Sequence, residues 1–246
     1  MLNDEIIAQG SAFKKDARAL FESAVAALIA LGFRYPGLGA NFLWDATPEL
    51  DAECNKILRD LSDSLAEKAK QRAAAVCEAH GCGSVDEAWT EANEGGDVPI
   101  LTRFDQQGSF LRSLMEIWIA LAFVNGITPT YLKILVINHL SNPYTSKFWR
   151  GLPAGLLKHG PGYQRNILDQ IGLIGQDGII GAVRVAEWMD ARDKGATYYI
   201  RRRGSYYRCD ECQNIANKPI PIEVPWDFTH ARCMCWPEYH YEPIEV

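Results

Sequence analysis

Four cysteines lie within the last forty residues of this 246-residue chain, and a histidine lies between the second and the third of them. They form a C-x2-C pair, a spacer of seventeen residues and an H-x2-C-x-C motif, which together comprise Cys209, Cys212, His230, Cys233 and Cys235. Zn²⁺ binds four nitrogen or sulfur ligands in a tetrahedron, and Cys/His motifs with such spacing supply them. The cluster therefore predicts a metal site, which constrains the fold of the C-terminal segment more than any other feature.

The spacing also predicts the role of the ion. Cys209 and Cys212 can both point at one ion from a tight turn, and His230 with Cys233 can close the tetrahedron. Cys235 is a fifth candidate that can replace either His230 or Cys233. Four protein ligands leave no open coordination position, so we expect structural zinc. Free thiols in a reducing compartment and a disulfide pair in a mature extracellular particle remain open as alternatives.

A structural ion would suit the size of this segment. Residues 195–246 contain few aliphatic side chains for their number. A domain this small is marginally stable on its own, and bound zinc contributes about 10–16 kcal/mol in zinc-finger peptides.

Composition indicates a globular chain that remains where it is made. Hydrophobic residues make up 48% and charged residues 23% of the sequence, which are ordinary values. No apolar run has the length of a membrane span, and the N-terminus lacks the pattern of a signal peptide. Seven cysteines are an odd number, which favours reduced thiols over a secreted disulfide framework.

The three remaining cysteines lie in a region predicted to be helical. Cys54 and Cys77 are expected to be small buried apolar side chains. Cys77, His80 and Cys82 resemble a second metal motif, but they offer only three ligands at a helix end.

The fold class predicted is mainly α, with a helical N-terminal region and a small α+β zinc-knuckle-like C-terminal domain. We expect a helical region over residues 1–145, an extended arm or linker over 146–177 and the C-terminal domain over 178–246. The clearest helix has Thr47 as its N-cap and Pro48 at its first position, and it ends at Gly81. Its apolar residues recur every three or four positions.

Weaker patterns complete the prediction. Further helices are expected over residues 12–32, 109–124, 128–140 and 179–192, and a β-hairpin over 196–209 that turns near Gly204 and Ser205. Glycines recur at positions 172, 175, 178 and 181, which indicates close helix packing or turns.

Charge is distributed unevenly. Residues 1–105 carry a net charge of −8 and residues 106–246 a net charge of +2, so the chain lacks the basic balance of a dedicated nucleic-acid binder. Arg201, Arg202, Arg203 and Arg208 form a local exception. They indicate either a solvated strand edge or protein-contact patch, or a surface that contacts phosphate.

The order of these C-terminal elements resembles a known family. A helix, a β-hairpin ending in C-x2-C, a proline-rich connector and a final H-x2-C-x-C are similar to the C-terminal domain of Mu F-like minor head proteins of tailed phages, also called head-morphogenesis proteins. That family commonly ends in His-Pro-Asn-Cys-Arg-Cys, whereas this chain reads His230-Ala-Arg-Cys233-Met-Cys235. The histidine and both cysteines are in register, but the proline and the arginine are missing. The resemblance covers residues 179–240.

The resemblance implies a structural role in head morphogenesis at the portal or the capsid interior. The implied partners are the portal protein, the major capsid protein or both, with packaged DNA as a further partner, and neither a membrane nor a small-molecule substrate. The implied location is the virion head, assembled in the cytoplasm of a bacterial host.

Two other functions were weighed against this one. In a zinc-containing nucleic-acid-binding module, the tyrosines of the predicted hairpin would stack on bases and Arg201–Arg203 would contact phosphates. A zinc deaminase would need H-x-E together with P-C-x-x-C, and this combination does not occur in the sequence. A ββα-metal zinc nuclease would need a helix after His230, and the sequence offers no room for one. We therefore expect that the chain is not an enzyme.

Overall fold

The computed structural model describes residues 2–93, 99–141, 167–204, 210–226 and 234–243. This part is mainly helical, with a small antiparallel sheet of three strands near the C-terminus, which confirms the predicted class at that level. Among the helices described, none has the length and apolar character needed to cross a membrane.

The helices and strands are numbered here in chain order. The helices are α1 (Leu2–Gly32), α2 (Pro48–His80), α3 (Val85–Asn93), α4 (Ile100–Asn125), α5 (Pro129–Ser141), α6 (Ile167–Asp193) and α7 (Asp210–Ile215). The strands are β1 (Tyr198–Arg202), β2 (Pro219–Pro221) and β3 (Trp236–His240). Two short 3-10 helices, Pro36–Asn41 and Trp44–Ala46, lie between α1 and α2.

The chain divides into two compact units. The first unit comprises Met1–Phe13, Glu67–Ile100 and Leu173–Val246, and the second comprises Lys14–Ala66 and Leu101–Gly172. This division cuts across the sequential boundaries expected from the sequence, because α1, α2 and α6 each contribute residues to both units. The C-terminal sheet belongs to the first unit.

Helix α2 has the ends that the sequence predicts. The Oγ1 atom of Thr47 accepts a hydrogen bond from the backbone N–H of Leu50 at 3.2 Å, which satisfies one of the free donors of the first turn. The helix ends at His80, and Gly81 follows with a φ of +68°, a conformation that glycine adopts at no steric cost. Of the nine expected apolar positions, Ile57 is half-buried. The other eight are buried: Leu50, Cys54, Leu58, Leu61, Leu65, Ala69, Ala73 and Val76.

Other helices extend beyond the predicted limits. Helix α1 begins ten residues earlier than expected and α4 begins nine residues earlier, while α3 was not predicted. In the added part of α1, residues 2–11, the buried positions are Ile6 and Gly10. With only about one buried residue per turn, the apolar pattern is too weak to identify this part of the helix from the sequence.

The predicted extended arm is partly wrong. Residues 167–177 belong to α6, which begins twelve residues before the expected start, and the rest of the arm, 146–166, lies outside the described residues. All four glycines of the repeat lie within this helix. Within the first unit, a Cβ on Gly175 would collide with the ring of Phe13, and a Cβ on Gly178 would collide with Ile100. The glycines therefore allow close helix packing, as predicted.

The sheet differs from the predicted hairpin. The strand order is β2-β1-β3 with antiparallel pairing, and β1 lies in the centre. Tyr199 pairs with Ile220 on one side and with Tyr239 on the other. The expected hairpin partner, residues 205–209, lies outside the described residues, and the two neighbours of β1 come from later parts of the chain.

The second unit is organised around a buried tryptophan. Trp44 is fully buried, and its Nε1–H donates to the carbonyl oxygen of Arg112 at 2.9 Å. Its backbone N–H donates to Oε2 of Glu116 at 3.1 Å. Arg112 in turn donates to Asp51 and Asn55, each at 2.5 Å. These bonds connect the second 3-10 helix with α4 and the start of α2.

Helix α5 carries a buried histidine in the second unit. His139 is only 6% exposed, and its ring centroid lies 6.2 Å from that of Trp118. Burial disfavours the charged imidazolium and lowers the pKa of His139 to about 4. Its position on an apolar helix in the sequence fits either a core or a surface side chain, and the structure places it in the core. The titration of this buried side chain has a consequence for stability.

We expect acid to destabilise the protein through His139. In the unfolded chain its pKa is about 6.5, so the unfolded state binds more protons between this value and the folded value. The contribution of neutral His139 to the free energy of unfolding is complete above about pH 6.5. It falls by up to about 3 kcal/mol as the pH drops towards 4. Urea unfolding across this range measures the effect. In the His139→Leu variant the free energy of unfolding should depend less steeply on pH than in the wild type. Equal slopes for the two proteins would show that His139 does not cause the acid destabilisation.

Candidate metal centre

Two of the five predicted zinc ligands meet in the described structure. Cys212 lies on α7, and Cys235 immediately precedes β3. Their Sγ atoms are 3.6 Å apart, and the two residues are only 2% and 1% exposed. Twenty-three positions separate them along the chain, so the fold of the C-terminal segment brings them together.

The sulfur–sulfur distance is informative about the chemistry. A disulfide bond would place the two sulfurs about 2.05 Å apart, so these cysteines are free thiols. Two thiolates bound tetrahedrally to one zinc ion at about 2.3 Å are about 3.8 Å apart. The distance between Cys212 and Cys235 therefore fits an edge of a zinc tetrahedron, and burial on all sides fits a closed structural site.

The other three predicted ligands, Cys209, His230 and Cys233, lie outside the described residues. Cys209 is three positions before Cys212, and Cys233 is two positions before Cys235. Within the described ranges, no group of three or more His, Cys, Asp or Glu side chains is placed to hold a metal ion.

A glycine permits the close approach of chain segments beside this pair. Gly204 follows β1, and a Cβ at that position would collide with the carbonyl oxygen of Met234. It would also lie 3.5 Å from the backbone nitrogen of Cys235. The segment after β1 thus runs directly against the segment that carries Cys235, and only a residue without a side chain fits there.

The local elements of the site differ from the sequence prediction in one respect. Cys212 was expected in a tight turn, but it lies on the short helix α7. The chain leaves this helix through Asn217, which has a φ of +60° and donates its backbone N–H to the carbonyl oxygen of Arg201 at 3.0 Å. This bond ties the end of the helix segment to β1.

The arginines predicted to contact nucleic acid are in three different environments. Arg201 is 2% exposed, and its guanidinium carbon lies 4.2 Å from the ring centroid of Trp226. Arg202 donates to Glu238 at 2.6 Å and to Asn217 at 2.8 Å. Arg203 is exposed, and Arg208 lies outside the described residues. The strand therefore does not present these arginines as one continuous basic patch.

The ion pair of Arg202 affects its carboxylate partner. The hydrogen bond from Arg202 lowers the pKa of Glu238, and His240, at 3.3 Å, contributes in the same direction. His240 also stacks on Tyr198 with centroids 4.6 Å apart. These contacts join β1 to β3 on the more exposed side of the sheet.

The opposite side of β1 is packed. Tyr199 and Arg201 alternate with more exposed residues along the strand, and both contact Trp226. In the same unit, Nε1–H of Trp188 on α6 donates to the carbonyl oxygen of Ile222 at 3.0 Å. The sheet is thus supported by α6 as well as by its own pairing. Trp226 was not singled out from the sequence, because nothing local marks it as the partner of an arginine.

The remaining cysteines agree with the sequence prediction in part. Cys54 and Cys77 are buried, as expected, and burial raises the pKa of the Cys54 thiol to about 11, so this thiol is unreactive. His80 is exposed, and it does not join Cys77 and Cys82 in a metal-binding group of the described residues. The proximity of Cys77 to Cys82 was not inferred from the sequence.

A comparison of the chain with protein-family models, with curated proteins and with solved structures found no match in any of the three.

The packing of Arg201 generates a prediction about stability. We expect Arg201→Ala to lower the free energy of unfolding by about 2 kcal/mol, because it removes a desolvated cation–π contact and the packing of the alkyl stem. Arg203→Ala should change it by less than about 0.5 kcal/mol, because this side chain is exposed. Chemical denaturation of both variants measures the difference. If the two variants lower the free energy of unfolding equally, the contact between Arg201 and Trp226 does not stabilise the protein.

Proposed function

We propose that this chain is a structural minor head protein of a tailed phage, acting in head morphogenesis at the portal or the capsid interior. Its C-terminal segment would be stabilised by one structural zinc ion. The observation that carries this proposal is the buried pair of sulfurs of Cys212 and Cys235 at 3.6 Å. It supports the ligand spacing on which the resemblance to Mu F-like proteins rests.

The thiol pair supports a particular set of ligands. Cys212 belongs to the C-x2-C motif and Cys235 to the H-x2-C-x-C motif, so their contact joins the two halves of the predicted site. We infer that Cys235 is the fourth ligand, with Cys209, Cys212 and His230 as the others. Zinc bound there would supply a cross-link between segments distant in sequence, and the four residues would hold it without an open position.

The small size of the sheet supports a stabilising ion. It has three strands of five, three and five residues, so its stability depends on what packs against it. The buried aromatic residues Tyr199 and Trp226 provide much of the packing around β1. A metal cross-link contributes folding free energy where such a core is small.

The surface of the second unit supports a role in assembly. Helix α5 buries Leu132 and Val136 on one side, while Tyr131 and Ile134 are more than half exposed. A helix that is apolar on more than one side is suited to bury its second face against a partner. The proposed partners are the portal protein, the major capsid protein or both, with packaged DNA as an additional contact.

The environments of the arginines bear on the alternative of a nucleic-acid-binding module. Arg201 is stacked on Trp226, and Arg202 is paired with Glu238. Among the arginines considered for phosphate contact, only Arg203 is exposed within the described residues. This arrangement favours a structural module over a dedicated DNA-binding one, so we keep DNA as a secondary contact.

Metal analysis tests the zinc site. We expect about one zinc ion per chain in protein purified without chelators. Cys212→Ser and Cys235→Ser should each lose this zinc and lower the thermal midpoint, while far-ultraviolet circular dichroism should still show the helices. Cys54→Ser is the matched control, because it removes a buried thiol outside the site and should retain zinc.

The Cys233→Ser variant tests which cysteine completes the site. It should retain zinc if Cys235 is the fourth ligand. Metal-free wild-type protein, or full zinc content in Cys212→Ser, would overturn the proposed site.

Quantitative mass spectrometry of particles tests the role in the head. In procapsids and virions of a phage that encodes this chain, we expect it at few copies relative to the major capsid protein. A deletion should yield aberrant or empty heads. Absence of the chain from both procapsids and virions would refute the role, whatever its metal content.

A further inference from the structure

The end of α2 brings two cysteines together through a helix-capping motif. The backbone N–H of Cys82 donates to the carbonyl oxygen of Cys77 at 3.1 Å, and Gly81 between them has a φ of +68°. This is the 6→1 hydrogen bond of a Schellman motif, in which the residues at the two ends of the bond have their side chains in contact.

The same motif occurs at two other helix ends with different residues. At the end of α4 the bond joins Ile127 to Ala122, and at the end of α6 it joins Ala196 to Ala191, with a left-handed glycine in each case. There the contact is purely apolar, as is usual for the motif. At the end of α2 the residues at these two positions are both cysteines, and both line the same pocket.

The position of Cys82 is fixed on both sides. Gly81 precedes it in the left-handed conformation. Gly83 follows it and packs against α6 within the same unit, where a Cβ would lie 3.3 Å from the carbonyl oxygen of Ala186 and 3.5 Å from Cβ of Asp190. The thiol of Cys82 is therefore held beside that of Cys77 by backbone contacts.

The two thiols line a cavity of about 450 Å³ in the first unit. This volume is in the usual range for small-molecule sites, about 300–1,000 Å³. Its wall includes the ammonium of Lys70, which pairs with Asp86 at 2.7 Å, and the side chains of Gln71 and Glu78. Such a mixed polar lining suits a small molecule with carboxylate and amide groups more than an apolar one.

The two thiols differ in access and in proton affinity. Cys77 is 3% exposed, whereas Cys82 is half-buried. The hydrogen bond from Cys77 lowers the pKa of Cys82, and the same bond, together with burial, raises the pKa of Cys77. An accessible thiol with a lowered pKa beside a buried one is the usual arrangement of an attacking and a resolving cysteine.

We propose that Cys77 and Cys82 form a thiol–disulfide exchange site, in which Cys82 is the attacking thiol and Cys77 the resolving thiol. The oxidant is a small polar disulfide of the glutathione class, bound in the adjoining cavity. This site is separate from the predicted zinc ligands and does not depend on the proposed function.

The reaction proceeds by two exchanges. The thiolate of Cys82 attacks one sulfur of the small disulfide, forms a mixed disulfide and releases one small thiolate, which takes a proton from solvent. Cys77 then loses its proton to solvent, and its sulfur attacks that of Cys82, releasing the second small thiol. The two protein thiols are oxidised to one disulfide, and the small disulfide is reduced to two thiols.

Peptide mapping after incubation with oxidised glutathione tests the exchange. Trypsin places Cys77 and Cys82 together on the peptide 73–103, without another cysteine, and Cys54 on the peptide 35–56. In the full-length protein we expect the first peptide to lose two hydrogens, while Cys54 remains a thiol. Further cleavage after Glu78 should give two fragments that separate only on reduction.

Two single variants test the assigned roles. Cys77→Ser should trap a stable glutathione adduct on Cys82, because the resolving thiol is gone. Cys82→Ser should form an adduct on Cys77 at least about tenfold more slowly, because the buried thiol is inaccessible. Circular dichroism verifies that both variants fold. In the wild type, Cys82 should also react with iodoacetamide at least about tenfold faster than Cys54.

Several outcomes would overturn the proposal. If the peptide 73–103 stays reduced in folded wild-type protein at an excess of oxidised glutathione, the two cysteines are only the apolar contact of a helix cap. Adduct formation at Cys77 in preference to Cys82 would reverse the assigned roles. Because the readout is thiol chemistry on peptide 73–103, it is independent of zinc content and of incorporation into particles.

Discussion

The buried contact between the sulfur atoms of Cys212 and Cys235 joins two parts of the C-terminal segment that lie far apart in the sequence. Cys212 lies on the helix between β1 and β2, and Cys235 leads into β3. The three strands are short, and β1 pairs with both of the others. The meeting of α7 and the start of β3 therefore adds a side-chain contact to the strand pairing of this small sheet.

Helix ends proved predictable where a specific side chain determines them. Thr47, Pro48 and Gly81 define α2 within one residue because capping and left-handed glycine are local interactions. Helix starts without such signals were placed too late, as in α1, α4 and α6. There the buried face is narrow or rich in glycine, so its helical character depends on what packs against it. Phe13 against Gly175 is an example that no local pattern encodes.

That Cys212 and Cys235 lie close together could be predicted from the sequence, but their surroundings could not. Spacing identified Cys212 and Cys235 within one set, and the structure brings these two together. The arginines show why the surroundings could not be inferred. Three consecutive arginines suggest one basic patch in the sequence, but alternate residues of a strand face opposite sides. Arg201 thus meets Trp226 while Arg202 meets Glu238, and neither partner is near in sequence.

The two thiol pairs of the first unit differ in how they are brought together, and this difference governs their chemistry. Cys77 and Cys82 are five positions apart, so a single helix cap places them in contact at a small entropic cost. Cys212 and Cys235 are twenty-three positions apart and meet only when the sheet is formed.

A pair that depends on the sheet, with both thiols buried, is suited to an ion that stabilises the folded segment. A pair formed by one helix turn, with one thiol open to a cavity, gains little folding free energy from a cross-link, because the loop that it closes is short. It is therefore better suited to reversible exchange.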